Sequence, residues 1–329
     1  MPVSRRDFLV SSALSLGAAV ARPVAGRAWQ TPPTQTPPVQ TPAAQTPAAP
    51  APAMPVFMPV RRNVGFFTMR GGTIGYLIDP AAVAVVDSMY AVEGKACLDG
   101  LNTRSNNRPV DVLINSHHHD DHSFGNISFK GAAKKIVSHA KAADLMRTRP
   151  GLPATTAEQV FPDTTFTDTW SIDAGAERIR AKFYGSAHTS GDIVVTFERA
   201  NVVHMGDLMF NQRHPLVDRA GGASLKNWIS VLERTPRDHA ADTIYIFGHA
   251  NTGLPVTGNA GDLQRFRDYL EALLTFVGAQ IKAGKSRDEI LAMRDPLKGF
   301  ETFGRFGAAN PRDPITVAYE ELTVGAPGL

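Results

Sequence analysis

The chain has 329 residues, and its hydrophobic and charged fractions, 43% and 20%, are ordinary for a soluble folded protein. Its formal charge of +3 resides in Arg5, Arg6, Asp7, Arg22 and Arg27. With those four arginines and one aspartate set aside, 30 basic residues balance 30 acidic ones, which gives no support to nucleic-acid binding by bulk electrostatics. The single cysteine, Cys97, excludes an internal disulfide framework and a cysteine-rich zinc site.

Residues 4–10 read Ser-Arg-Arg-Asp-Phe-Leu-Val and lead into a weakly apolar run from Phe8 to Ala21. That run is too short and too rich in Ser, Ala and Gly for a stable membrane span. Charges, apolar run and small residues, in that order, resemble a twin-arginine export signal, with cleavage expected after Ala21 or Ala28. The resemblance implies passage through the twin-arginine export machinery in folded form, and a periplasmic or secreted location. From Thr31 to about Pro55 uncharged Thr-Pro, Gln and Ala-Pro units repeat, a composition that cannot bury apolar surface. The expected organisation is a signal peptide over 1–28, a disordered linker over 29–55 and one folded domain over 56–329.

Within that domain, strands are expected over 63–70, 73–78 and 82–87, followed by a helix over 92–104. Cys97 falls in this helix, where a free thiol packs as a small apolar group. Further strands are expected over 110–115, 178–184, 193–197, 201–205 and 243–247. Leu263, Phe266, Leu270, Leu273, Val277 and Ile281 recur at steps of three and four, the stripe of a late helix. Strands mixed with helices indicate α/β or α+β layering.

Residues 116–126 read Ser-His-His-His-Asp-Asp-His-Ser-Phe-Gly-Asn directly after the apolar strand 110–114. In an extended stretch, side chains two apart project to the same side, so His117 and His119 can reach one metal while His118 points away. Asp121 and His122 follow where the chain should turn into a short helix, and can aim at a second ion. Neutral imidazoles and carboxylates are ligands that Zn²⁺ favours, and burying this many without metal would be costly. The same placement recurs three times: His188, Asp207 and His249 each follow an apolar strand, with a glycine letting the backbone turn closely. Taken singly, each is more often structural; together with the first cluster they form a set of seven.

These residues, His-x-His-x-Asp-His, then His188, then Gly206-Asp207, then Gly248-His249, resemble the signature of the metallo-β-lactamase superfamily, over about Val64 to His249. The resemblance implies an α+β fold, a four-layered αββα sandwich. It implies a first metal on His117, His119 and His188, a second on Asp121, His122 and His249, and Asp207 bridging both. Asp at position 207 is similar to the glyoxalase II and lactonase branches rather than to typical zinc β-lactamases, which carry Cys or Ser. Phe124-Gly125-Asn126, Gly206-Asp207-Leu208-Met209-Phe210-Asn211 and a helix over 225–232 with Trp228 also resemble exported metallohydrolases associated with sulfur oxidation or quinoprotein pathways. One departure is Phe247-Gly248-His249-Ala250-Asn251, where the family has Pro-Gly-His-Gly-Pro; it keeps the ligand and alters the adjoining loop.

The chemistry so implied is hydrolysis of a small-molecule ester, thioester, lactone or amide, with β-lactam cleavage as a side activity. Two Zn²⁺ ions, or iron or manganese in their place, would ionise a shared water near neutral pH, so that no serine or cysteine nucleophile is needed. Asp121 and Asp207 would assist proton transfer beside their ligand roles. Asp192 has two readings, orienting a ligand imidazole or closing a turn. His118, Phe124, Phe210, His214 and Trp228 are either pocket or core and surface residues; His139, His204 and His239 read as structural. The alternatives are an iron-dependent oxidoreductase of the same fold and a non-catalytic metal-binding protein. A nuclease is disfavoured by the balanced charge, by export and by the lack of an evident nucleic-acid-binding insertion.

Overall fold

The computed structural model describes residues 54–149 and 158–325. The expected signal peptide, and the expected linker as far as residue 53, lie outside the described residues. The first described strand is Val56–Arg61.

Two sheets make up the body. The first runs Val56–Arg61, Val64–Thr68, Thr73–Asp79, Ala82–Val86, Val112–Asn115, Ile136–His139 and Thr164–Phe166 in spatial as well as chain order. Its first four strands pair antiparallel, and the pairing from Ala82–Val86 onward is parallel. The second sheet is ordered Thr257–Gly258, Ile244–Ile246, Val202–His204, Ile193–Phe197, Glu177–Phe183, Thr169–Ala174. In it only Val202–His204 and Ile244–Ile246 pair parallel.

Successive residues of a strand point to opposite faces, so a strand buried on both sides must be apolar throughout. Ala82-Val83-Ala84-Val85-Val86 is such a strand, buried at every position. Ala82, Ala84 and Val86 share a core with Val112, Ile114, Ile179, Val195 and Ile246, which lies between the sheets. Val83 and Val85 belong instead to a core with Cys97, Leu98 and Leu101 of the helix Ala91–Ser105. The far side of the second sheet is covered by Leu225–Arg234, Ala260–Lys282 and Pro314–Thr323, whose Trp228, Phe266, Leu270 and Val317 join Val203 and Tyr245 in the third core. Helix, sheet, sheet, helix is the expected αββα order.

The helix Ala260–Lys282 starts at a reciprocal cap: Asn259 accepts from Gly261 N and Asp262 from Asn259 N, both at 2.8 Å. Of the anticipated stripe, Leu263, Phe266, Leu270, Leu273 and Val277 are buried, Ile281 is half-buried, and Tyr269 joins the buried face. Each such side chain stabilises the fold by about 1.5–3 kcal/mol on burial, and Leu270→Ala would cost about 2–5 kcal/mol. The strands expected from apolar runs fall within two residues of those observed at both ends, and 193–197 matches outright. Val56–Arg61, Ile136–His139, Thr164–Phe166 and Thr169–Ala174 were not anticipated. No described helix is long and apolar enough to cross a membrane.

Candidate metal centre

The candidate residues gather where the parallel strands of both sheets end, the usual place for a site in such sheets. After Val112–Asn115 the chain bends through residues 116–118, is extended at His119 (φ −64°, ψ 151°) and then makes one helical turn, Asp120–Ser123. His117 and His119 reach one donor group. His118, expected to point away, instead lies beside His119, its Nε2 3.1 Å from the same Asp218 Oδ2 that stands 3.0 Å from His119 Nε2, and these three make a further group of potential donors. Asp207 sits in the turn Gly206–Leu208 beyond Val202–His204. His249 opens the short strand His249–Ala250, which pairs parallel with Phe210–Asn211, so the departing loop sequence is held against the Asp207 segment. Gly248 is required there by close approach: a Cβ on it would stand 2.1 Å from Asp207 Oδ1.

The donor atoms of His117, His119, His188 and Asp207 all lie within 4.8 Å of one another, and those of Asp121, His122 and His249 form a second such group. Asp207 faces both. Its Oδ2 is 3.9 Å from His117 Nε2 and 3.4 Å from His188 Nε2; its Oδ1 is 3.0 Å from His122 Nε2 and 3.3 Å from His249 Nε2. Asp121 Oδ2 is 3.2 Å from His249 Nε2. All seven sequence-derived candidates are thus brought together.

Three rings are oriented from behind. Asp87, at the end of Ala82–Val86, accepts from His122 Nδ1 (2.8 Å) and from Ser116 N and Oγ (2.6 and 2.7 Å). Ser116 Oγ is 3.1 Å from His117 Nδ1, and Asp218 Oδ2 is 3.0 Å from His119 Nε2. With the outer nitrogens protonated and bonded, the inward Nε2 of His117 and Nδ1 of His119 present bare lone pairs, and Nε2 of His122, 3.0 Å from Asp207 Oδ1, does so once its own proton is displaced. His119 Nδ1 lies 2.9 Å from His188 Nε2. The inward Nε2 of His117 is buried with no hydrogen-bond partner among the described residues, which in a native interior calls for a ligand. An imidazole and carboxylate donor set with an orphaned inward nitrogen fits a metal ion.

The two groups differ electrically. Burial lowers His117 and His188 well below the ordinary imidazole value, and lowers His119 too, so the first group is made of neutral rings. Burial opposes the charged ring in the second group as well, yet Asp207, Asp121 and Asp87 outweigh it and raise His122 well above its ordinary value. His249 is likewise raised against burial, to about 9, by Asp207 and Asp121. Burial penalises the carboxylate of Asp207, but His249 and His122 hold it well below the usual range, and His122 and His249 do the same for Asp121.

Of the two readings open for Asp192, the structure selects the turn: its carboxylate accepts from Thr189 N and Oγ1, both at 2.7 Å. Nδ1 of His188 has no partner among the described residues. Phe210 stacks on His249 (5.2 Å, 18°), and Phe210 and His214 line the cavity over the donors. Trp228 is wholly buried against His188, with Nε1 donating to Leu208 O at 3.0 Å. His139 caps a helix, while His204 and His239 bond backbone and threonine groups, as structural histidines do. The cavity, of about 180 Å³, is also lined by Tyr90, Arg213 and Arg312. Asp87 and Asp218 were not singled out from the sequence; Asp87 shares with the ligands its place just past an apolar strand, while Asp218 carries no such signal.

The sequence pattern of the metallo-beta-lactamase superfamily matches residues 68–276, and the chain belongs to that superfamily. The class this defines is a metal-dependent hydrolase. The chain is similar to metallo-beta-lactamase IND-1 of Chryseobacterium indologenes, 24% identical over 176 residues, which are 53% of this chain and 70% of that protein. It is also similar to the solved metallo-beta-lactamase from Pontibacter korlensis: TM-score 0.54, 19% identity, 66% of this chain and 99% of that one. A variant of the sec-alkyl sulfatase PisA1 superposes with TM-score 0.60 at 14% identity, over 81% of this chain and 50% of that one. At these identities the structural likenesses carry the fold alone.

Proposed function

We propose that the chain is an exported two-zinc hydrolase that cleaves an ester, thioester, lactone or amide, with β-lactams as a side reaction. In this reading His117, His119 and His188 hold one ion, Asp121, His122 and His249 the other, and Asp207 serves both. The observation that carries it is the two-sided carboxylate of Asp207, with Oδ2 toward His188 at 3.4 Å and Oδ1 toward His122 at 3.0 Å. When bound, such an ion pair supplies a water ionised near neutral pH and a Lewis acid for the scissile carbonyl.

The chain's own residues do the rest. Asp87 and Asp218 fix the tautomers of His122 and His119. Phe210, stacked on His249, excludes water from that side of the site. The carboxylate of Asp121, 25% exposed, is open enough to take up and pass on a proton, and Asp207 is the second candidate for that task. The leader at 1–28, the linker at 29–55 and the catalytic domain from 56 complete the proposal, with a location in the periplasm or outside the cell, in the exported branch of the superfamily.

Metal analysis of the purified chain, followed by an ester, thioester, lactone and β-lactam panel with His119→Ala as control, tests it. The expected result is two zinc ions per chain and turnover lost in the variant. An iron spectrum without hydrolysis would support the oxidoreductase instead, and full metal without any turnover a binding protein. Cell fractionation of the wild type beside Arg5→Lys/Arg6→Lys tests export: the variant should stay in the cytoplasm.

A further inference from the structure

We infer that the substrate carries its own oxyanion group, a carboxylate being the simplest, and that Arg312 binds it with help from Arg213. This rests on the hydrolase reading above and narrows its substrate class.

Arg312 comes from beyond the family-matched stretch, which ends at residue 276. The fold holds it at the site by design of its neighbours. Its carbonyl accepts from Val217 N at 2.9 Å. The next residue, Asp313, caps the helix Pro314–Thr323. That helix is tied down in turn by buried Glu321, which accepts from Ser224 Oγ and from Leu225 and Lys226 N at 2.7–3.0 Å. Arg312 and Arg213 line the same cavity as Asp121, Asp207 and His249.

Among the described residues, the side chain within hydrogen-bond distance of the Arg312 guanidinium is that of His119. Arg312 NH2 lies 2.7 Å from His119 Nε2, while the buried Nε of Arg312 has no partner among the described residues. Once His119 Nδ1 serves as a ligand, Nε2 must carry the ring proton and give it to Asp218. Two donors, the Arg312 N–H and the His119 N–H, then face each other, so the guanidinium must turn to another acceptor. The nearby carboxylates are spoken for: Asp120 bonds Arg149 at 2.8 and 3.1 Å, Asp313 caps its helix, and Asp121 and Asp207 belong to the donor groups. Neither Arg312 nor Arg213 forms an ion pair with a carboxylate among the described residues, whereas Arg70 at the outer mouth bonds Glu93 at 2.9 Å. Arginine's planar fork suits an oxyanion, and a cavity with two uncompensated guanidiniums selects one. Tyr90 and half-exposed Leu216, at the same mouth, offer apolar surface to the rest of the molecule.

The test compares mono-4-nitrophenyl glutarate with neutral 4-nitrophenyl butyrate on the zinc-loaded full chain, alongside calorimetric titration with glutarate. Wild type should favour the anionic ester in kcat/KM by at least tenfold. Arg312→Ala should cut that preference about tenfold or more, mainly through KM, with metal content unchanged, and Arg312→Lys should restore part of it. Glutarate affinity should fall in Arg312→Ala and weaken with salt. Equal use of both esters by wild type, an equal loss on both in the variant, or unchanged glutarate affinity overturns the inference. If wild type cleaves neither ester, it is the ester reading of function that fails, and the titration alone then decides the role of Arg312.

Discussion

The two donor groups share Asp207 and little else. His117, His119 and His188 are neutral rings packed edge to face, with centroids 4.7–5.0 Å apart, and take a single carboxylate oxygen from Asp207. Asp121, His122 and His249 already form a charged network in which two carboxylates oppose two raised imidazoles. An ion entering the first group meets bare lone pairs. An ion entering the second must displace protons, so its binding is coupled to pH in a way the first is not. Two donor groups side by side need not be equivalent, and the asymmetry here is set by carboxylates rather than by histidines.

The most damaging change should be at the shared residue. Asp207→Ala is expected to lose both ions and at least a thousandfold in kcat/KM, an effect on the order of 4 kcal/mol. His188→Ala and His249→Ala should each keep one ion. Retention of two ions by Asp207→Ala, read by elemental analysis, would remove the basis for treating it as a bridge. Next comes Gly248→Ala, whose Cβ would meet Asp207 Oδ1 at 2.1 Å and Gly206 backbone at 2.7 Å. One of these must shift; a stability loss of about 1–3 kcal/mol and a marked loss of turnover are expected, and wild-type melting with wild-type rate would refute the contact. Smaller still, and most discriminating, are the two orienting carboxylates. Asp87→Asn should weaken the second-group ion about 10- to 100-fold, and Asp218→Asn the first-group ion by a similar factor. Competitive chelator titration reads each; the same ion weakened by both variants would mean that the groups are not separately supported.

Much of this was legible beforehand because the candidate ligands announce themselves in one way. An apolar run fixes a strand, and a histidine or aspartate stands just beyond it, as at His117, Asp207 and His249. The layering followed from the same runs: a strand apolar at every position, such as Ala82–Val86, needs cover on both faces. Illegible parts lacked either signal. Thr164–Phe166 is a three-residue strand completed only by its neighbour Ile136–His139. Asp87 is one acid at a strand end, and its positive φ of 67° is a property of the folded turn. Asp218 and Arg312 lie in irregular segments with no apolar period, and reach the site because Val217 N bonds Arg312 O and Glu321 caps Leu225–Arg234.

The mildest expected effect concerns a buried acid that stands apart from both groups. Burial raises Asp192 to about 8 from an ordinary 3.8, with Asp207 and Asp218 adding to the rise and the Thr189 bonds opposing it. Between those two values the folded chain holds a proton that the unfolded chain has released, so stability must fall as pH climbs through that window and level off above it. Below the lower value both states are protonated and no dependence remains. Asp192→Asn removes the ionisation while Asn can still accept from Thr189 N. The melting temperature of wild type relative to the variant, measured on zinc-loaded protein at pH 5, 6.5 and 8, should therefore decline steadily. The decline should be steeper in chelator-treated protein, where no cation offsets the charge of Asp207. A gap between the two proteins that stays constant with pH would mean that Asp192 is ionised in the folded state throughout, its bonds to Thr189 outweighing the cost of burial.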